Sequence, residues 1–143
     1  MRKVSQILQG KEARVCTVPQ EAPVLEVIRL MAEQHIGSVL VMRGGDLIGI
    51  CTERDYARKV ILQGRSSAQT SVAEIMSSPA LTVGPDTEVE YCMRLCTDSR
   101  IRHLPVVHDS RVIGVISIGD LVKAVIEEQA EQIDHLEQYI AGR

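Results

Sequence analysis

Two four-residue stretches carry the side chains best able to hold a small ligand: Thr52-Glu53-Arg54-Asp55 and Ser117-Ile118-Gly119-Asp120. Each places a hydroxyl three residues before a carboxylate, where an apolar run gives way to a helix-forming one. A helix start leaves backbone N–H groups unpaired and carries the positive end of the dipole, which suits an anion such as phosphate. A hydroxyl there adds a hydrogen bond, and a carboxylate one turn in can accept two from a diol. The same spacing is a capping box, in which Thr52 or Ser117 serves free N–H groups and Asp55 or Asp120 favours the dipole. The two roles are compatible, because a cap does not exhaust the hydroxyl or both carboxylate oxygens.

The elements that must position these residues are written twice. A shift of 65 aligns residues 17–55 with 82–120 without a gap. Ten of these 39 pairs are identical, among them Thr17/Thr82, Val18/Val83, Ile36/Ile101, Gly49/Gly114 and Asp55/Asp120. Chance gives about two or three, so this is a true internal repeat. VSQIL (4–8) also resembles VAEIM (72–76) at a shift of 68, which leaves three extra residues near 9–14 in the first half.

Each half predicts β-α-β-β-α. A short extended piece (15–18, 80–83) precedes an amphipathic helix over Pro23–Gln34 or Thr87–Ser99. Pro23 suits the first helical turn, and Asp86 or Thr87 an N-cap. Two apolar strands follow around Gly44-Gly45-Asp46 in one half and Asp109-Ser110 in the other, and a second helix begins at Thr52 or Ser117. The expected organisation is a first motif over 1–63, a linker over 64–71, a second motif over 72–126 and a helical extension over 127–143. The fold class is α+β (α/β), with two related halves packed sheet to sheet about a pseudo-two-fold axis. One half alone would bury too little surface to stand comfortably.

Composition narrows the function. The 143 residues are 45% apolar, with three Tyr and neither Phe nor Trp, so a stacking platform for single-stranded nucleic acid is not expected. Net charge is −3 with no basic block, which argues against duplex DNA and anionic membranes. No run approaches a membrane span, and the N-terminus lacks a signal peptide's apolar core. The four cysteines form no CxxC pair and complete no zinc pattern with His, so they read as small buried hydrophobes in a reducing compartment. No GxSxG, HExxH or P-loop occurs, and no enzymatic activity is expected.

The paired β-α-β-β-α order, the HLPVV strand (103–107), the GV-I-S pattern after the turn and the repeated [Thr/Ser]-x-x-Asp together resemble the CBS domain family. A tandem pair of such domains is a Bateman module, and the resemblance spans residues 3–126. It implies a regulatory module, acting in signal transduction, that binds an adenosine-containing ligand: AMP, ADP, ATP, NAD or S-adenosylmethionine, with no metal required. Asp55 and Asp120 become ribose acceptors, with Thr52 and Ser117 as nearby hydroxyls. For the Asp120 pocket it implies an adenine slot from Thr17 and Val18 with Ile101, Arg102, His103, Leu104 and Pro105. Lys11, Arg14 and Cys16, in the segment 11–16, close that pocket. For the Asp55 pocket it implies Thr82 and Val83 with Ile36, Gly37, Ser38 and Val39, closed by Ala80 and Leu81 in the segment 79–81.

The pockets are expected to differ. Arg102-His103 can supply charge-assisted hydrogen bonds to phosphate, whereas the aligned Gly37-Ser38 cannot. Arg54, where the repeat has Gly119, compensates only in part. The resemblance also implies a cytoplasmic homodimer that acts in trans on a protein partner. Residues 117–141 predict one long helix with Val122, Ile126, Ile133, Leu136 and Ile140 on one stripe. A ligand-independent scaffold, with the motifs as caps only, is the alternative. A cysteine-based redox regulator is another.

Overall fold

Apolar strands and turn residues recurring at the shift of 65 build the same hairpin twice. The computed structural model describes residues 2–11 and 14–142. In chain order the elements are α1 (Val4–Gln9), β1 (Thr17–Pro19), α2 (Val24–Gln34), β2 (Ser38–Arg43), β3 (Asp46–Thr52), α3 (Glu53–Tyr56), α4 (Val89–Ser99), β4 (His103–His108), β5 (Arg111–Ser117) and α5 (Ile118–Gly142). A π-helical turn, Ala57–Ile61, continues α3, and a 3₁₀ turn spans Val72–Glu74. This is the expected mixture of helix and strand with two small sheets, β1-β2-β3 and β4-β5.

The repeat extends to backbone detail. β2 pairs with β3 from Ser38↔Thr52, and β4 with β5 from His103↔Ser117. Both ladders slip at the same place, just past Val41 and Val106, leaving Ile48 and Ile113 as the extra residue of a bulge. Both first helices end on a left-handed residue, His35 and Arg100, each at φ 55°. The hairpin turns differ in cost. One uses Gly44 at φ 62°, the other holds Asp109 and Ser110 at 49° and 64°, where a side chain is disfavoured.

The chain divides into two compact units that cross the expected motif boundaries: Arg14–Leu81, and Met1–Ala13 with Thr82–Arg143. The leading segments explain this. In the second of these units Arg2 O accepts Val89 N at 3.0 Å and Thr87 O accepts Val4 N at 2.9 Å. In the Arg14–Leu81 unit Thr70 O accepts Val24 N and Ala22 O accepts Val72 N, both at 2.8 Å. Each helix start is therefore capped by a carbonyl from the segment preceding the other motif, which satisfies N–H groups that would be orphaned.

Those carbonyls also correct the helix starts. α2 begins at Val24 with Pro23 as N-cap, and α4 begins at Val89 with Glu88, not Asp86 or Thr87, as N-cap. Thr87 Oγ1 instead accepts Gly84 N at 3.0 Å. Residues 64–71 are more than a spacer, since Ser67 O and Thr70 O take the first N–H groups of α2. The extended piece over 80–83 yields only a bridge, Val83↔Val106. In the other half Leu40 N donates to Cys16 O, and its counterpart Pro105 has no N–H for that rung.

Both cores are aliphatic. One gathers Val24, Val27, Val39, Val41, Cys51, Val60, Val72 and Ile75. The other gathers Val4, Val89, Cys92, Cys96, Leu104, Val106, Ile116 and Leu121. Each fully buried aliphatic side chain contributes about 1.5–3 kcal/mol over an exposed one.

Candidate functional site

The strand-to-helix corner that ends each hairpin presents a carboxylate in a fixed setting. The first N–H of α3, from Glu53, donates to Gly37 O at 3.2 Å, and that of α5, from Ile118, donates to Arg102 O at 2.8 Å. The loop before β2 or β4 thus holds the helix start, and the carboxylate follows one turn on.

In the Arg14–Leu81 unit, Thr52 and Asp55 form a reciprocal capping box. Asp55 N donates to Thr52 Oγ1 at 3.2 Å, and Asp55 Oδ2 accepts from Thr52 N at 3.0 Å and Thr52 Oγ1 at 3.2 Å. The other oxygen, Oδ1, faces Lys59 Nζ at 3.2 Å, and Lys59 also donates to Ile75 O at 2.9 Å. Asp55 is buried, so both its oxygens are engaged inside its own unit.

The other unit repeats the box and changes the cation. Asp120 N donates to Ser117 Oγ at 3.1 Å, and Asp120 Oδ2 accepts from Ser117 N at 2.8 Å. Lys11 Nζ, arriving from the segment after α1, donates to the same Oδ2 at 2.7 Å and to Val115 O at 2.8 Å. Oδ1 takes no hydrogen bond among the described residues, and the side chain is 25% exposed. Burial opposes ionisation of Asp120, but the hydrogen bond and charge of Lys11 and the hydrogen bonds with Ser117 outweigh it. They hold its carboxyl below the ordinary value of 3.8. The result is a half-buried, ionised acceptor with one oxygen that no described residue takes.

The remaining sequence candidates are distributed as follows. Arg102 is exposed at the loop before β4, and His103 is half-buried opposite Ser117. Ile101 is half-buried, and Leu104 and Pro105 are buried. Ser38 and Val39 are buried at the start of β2, with Ile36 and Gly37 half-buried before it. Thr17 and Val18 pair with Leu40 and Val41 of their own unit. Val83 is buried, Thr82 and Leu81 are exposed, and Ala80 is half-buried. Arg54 is exposed. Of the segment 11–16, Lys11 meets Asp120. Arg14 turns to Gln34, donating to its Oε1 at 3.0 Å and its carbonyl at 2.9 Å. Cys16 is half-buried, and Glu12 and Ala13 lie outside the described residues. Sequence reasoning missed Lys59, although its spacing of four from Asp55 on a helix was the available signal.

The cysteines are not built for thiolate chemistry at three of four positions. Burial, then the charge of Asp55, pushes the Cys51 thiol up to about 12, and burial, with Cys96 adding, pushes Cys92 up to about 11. Burial also raises Cys96. No group of His, Cys, Asp and Glu among the described residues is arranged to hold a metal ion. No described helix is long and apolar enough to cross a membrane.

Comparison with known proteins agrees with this architecture. The CBS domain family model matches twice, at residues 11–61 and 72–127. The chain is 45% identical over 124 residues to the mitochondrial CBS domain-containing protein CBSX3 of Arabidopsis thaliana, covering 83% of this chain and 60% of that protein's length. A solved structure of a protein with CBS domains from Burkholderia ambifaria MC40-6 is 50% identical. It superposes with a TM-score of 0.86 over 90% of this chain and 96% of that one. The CBS domain pair of protein MJ0100, solved with 5′-methylthioadenosine and S-adenosyl-L-methionine, shares the fold at a TM-score of 0.78 and 23% identity, over 90% of this chain and 98% of that one. With its two family matches, repeated hairpins and repeated helix-start carboxylates, the chain belongs, as a tandem pair, to the CBS domain family, a family of regulatory modules.

Proposed function

We propose that this protein is a sensor that binds an adenosine-containing ligand through Asp120 and acts on a protein partner in trans. The observation that carries this reading is the state of the Asp120 carboxylate. It is held ionised by Lys11 and Ser117, only part of it is covered, and no described residue hydrogen-bonds Oδ1, which leaves it for a hydroxyl. A ribose diol is a fitting donor pair for such an oxygen. That the MJ0100 pair takes two adenosine derivatives supports the ligand class.

Lys11, Arg102 and His103 make the Asp120 site the better one for a phosphate-bearing ligand such as AMP, ADP, ATP or NAD. The Asp55 site is weaker, because Lys59 already occupies Oδ1 and Gly37-Ser38 brings no charge. Binding acts by population shift: the ligand favours one arrangement of the module, and that arrangement engages the partner. The protein works as a homodimer in the cytoplasm.

Calorimetric titration of ligand-stripped protein with AMP, ADP, ATP, NAD and S-adenosylmethionine tests the reading. A saturable response that disappears in Asp120→Ala is expected. Silence across the panel from folded protein overturns it and leaves both boxes as helix caps. That second reading, a ligand-independent scaffold, is favoured by the fact that Oδ2 of each Asp does serve its own helix start.

A further inference from the structure

The last stretch of α5 carries an apolar stripe that the described residues leave exposed. Ile126, Ile133 and Ile140 recur every seven residues, and Val122, Gln129 and Leu136 form a second series of seven offset by three. This is a heptad seam, with β-branched residues in one core series. Its five apolar members are 41–61% exposed, while Leu121 and Ala124, on another face of the same helix, are buried in the module. Arg2 ties the helix to its unit through Glu131, and every described residue from Gln129 to Gly142 is exposed. From Val122 to Ile140 the stripe runs about 27 Å at 1.5 Å per residue.

We propose that this stripe pairs with the same stripe of a second copy of the chain, as a two-stranded antiparallel coiled coil. The seam is self-complementary in that direction. With residue 131 opposite its own copy, Val122 meets the partner's Ile140, Ile126 the partner's Leu136, and Gln129 the partner's Ile133. Charge favours the same direction. Lys123 flanks the seam and then faces the partner's Glu137, once at each end. Within its own chain Lys123 reaches Glu127 only at 3.9 Å, an exposed pair that leaves the ammonium available. The other acids, Glu127, Glu128, Glu131 and Asp134, lie off the seam, and antiparallel packing also opposes the two helix dipoles. In a parallel pair Lys123 and Glu137 sit on the same side about 21 Å apart and cannot meet.

This proposal is independent of the nucleotide reading, and its test uses no nucleotide. Sedimentation equilibrium of the full chain is expected to give a dimer. Ile133→Glu sits on an exposed part of the helix, so its melting temperature should match wild type at monomer-level concentrations while its dissociation constant rises at least ~100-fold. Lys123→Glu and Glu137→Lys should each weaken the dimer about tenfold, as two paired ends turn repulsive, and the double reversal K123E/E137K should restore it. A monomeric wild type, or an Ile133→Glu protein that remains dimeric, overturns the interface. Failure of the double reversal to restore affinity overturns the antiparallel direction.

Discussion

The repeated glycines allow the packing to be tested by one substitution made twice. A Cβ on Gly49 would lie 2.6 Å from Met76 Sδ and 2.9 Å from Ser77 O. The sulfur can swing away, but the carbonyl cannot do so cheaply. Ser77 O accepts Ile50 N at 3.0 Å, and Ser77 N donates to Ile50 O at 2.9 Å. Moving that carbonyl stretches a two-bond bridge, each bond contributing about 0.5–1.5 kcal/mol, on top of an overpacking cost of about 1–3 kcal/mol. Gly49→Ala should therefore lose about 2–6 kcal/mol. A Cβ on Gly114 meets only Leu8, with Cδ2 at 2.7 Å, and a methyl at the end of a side chain can rotate aside. Gly114→Ala should lose less than about 1.5 kcal/mol. Urea unfolding with both m-values checked against wild type gives the two numbers. Equal losses, or a larger loss at Gly114, would refute the argument that a backbone neighbour rather than a side-chain neighbour sets the cost.

Further expectations concern the site and its titrating groups. Asp120→Asn keeps an acceptor for Ser117 N but gives up the charge, so AMP binding by calorimetry should weaken about 10- to 100-fold for a stability change of about 1 kcal/mol; unchanged affinity removes Asp120 from ribose recognition. Because Asp120 titrates below its ordinary value in the folded protein, its contribution is complete above the unfolded value and lost as pH falls through the folded one. Unfolding free energies between about pH 5 and 2 should accordingly fall less steeply in Asp120→Asn than in wild type. For Cys51 and Cys92 the sign reverses, since folding raises both thiols from 9.0 to about 12 and about 11. Stability should decline as pH rises above about 8.5, and Cys51→Ala/Cys92→Ala should lack that part of the decline. In the native protein near pH 8 a small disulfide reagent should label Cys16 before the other three; rapid labelling of a second thiol would revive the redox reading.

The fold was legible where the determinants are local. The shift of 65 predicted paired hairpins, and the structure follows it down to the bulges at Ile48 and Ile113 and the left-handed residues His35 and Arg100. What escaped was set by contacts distant in sequence. Thr87 has the chemistry of an N-cap, yet Arg2 O takes Val89 N, so the helix begins later, at Val89 with Glu88 as N-cap. VSQIL and VAEIM are alike because each lies across a glycine of a hairpin, Leu8 at Gly114 and Met76 at Gly49. Nothing in a linear reading says which hairpin each segment joins. Lys59 could have been read from its spacing, but the reach of Lys11 to Asp120, over 109 residues, could not.

Those two lysines separate the halves more sharply than the motifs do. Lys59 sits on the same helical stretch as Asp55 and is also tied to Ile75 O, so its ammonium is part of that unit's packing. Lys11 comes from a short segment after α1, and among the described residues two hydrogen bonds hold its ammonium, one of them to Asp120 itself. A ligand hydroxyl on Asp120 would compete with or add to that bond, and a phosphate nearby would give Lys11 a second anion. Lys11→Met should therefore weaken AMP more than adenosine, by about tenfold more, since only AMP offers the ammonium a new partner. Lys59→Met should lower unfolding stability while leaving the AMP-to-adenosine ratio unchanged. An equal loss of both ligands in Lys11→Met, measured in a variant that melts like wild type, would mean that Lys11 merely orients Asp120 and that phosphate selectivity, if present, lies with Arg102 and His103.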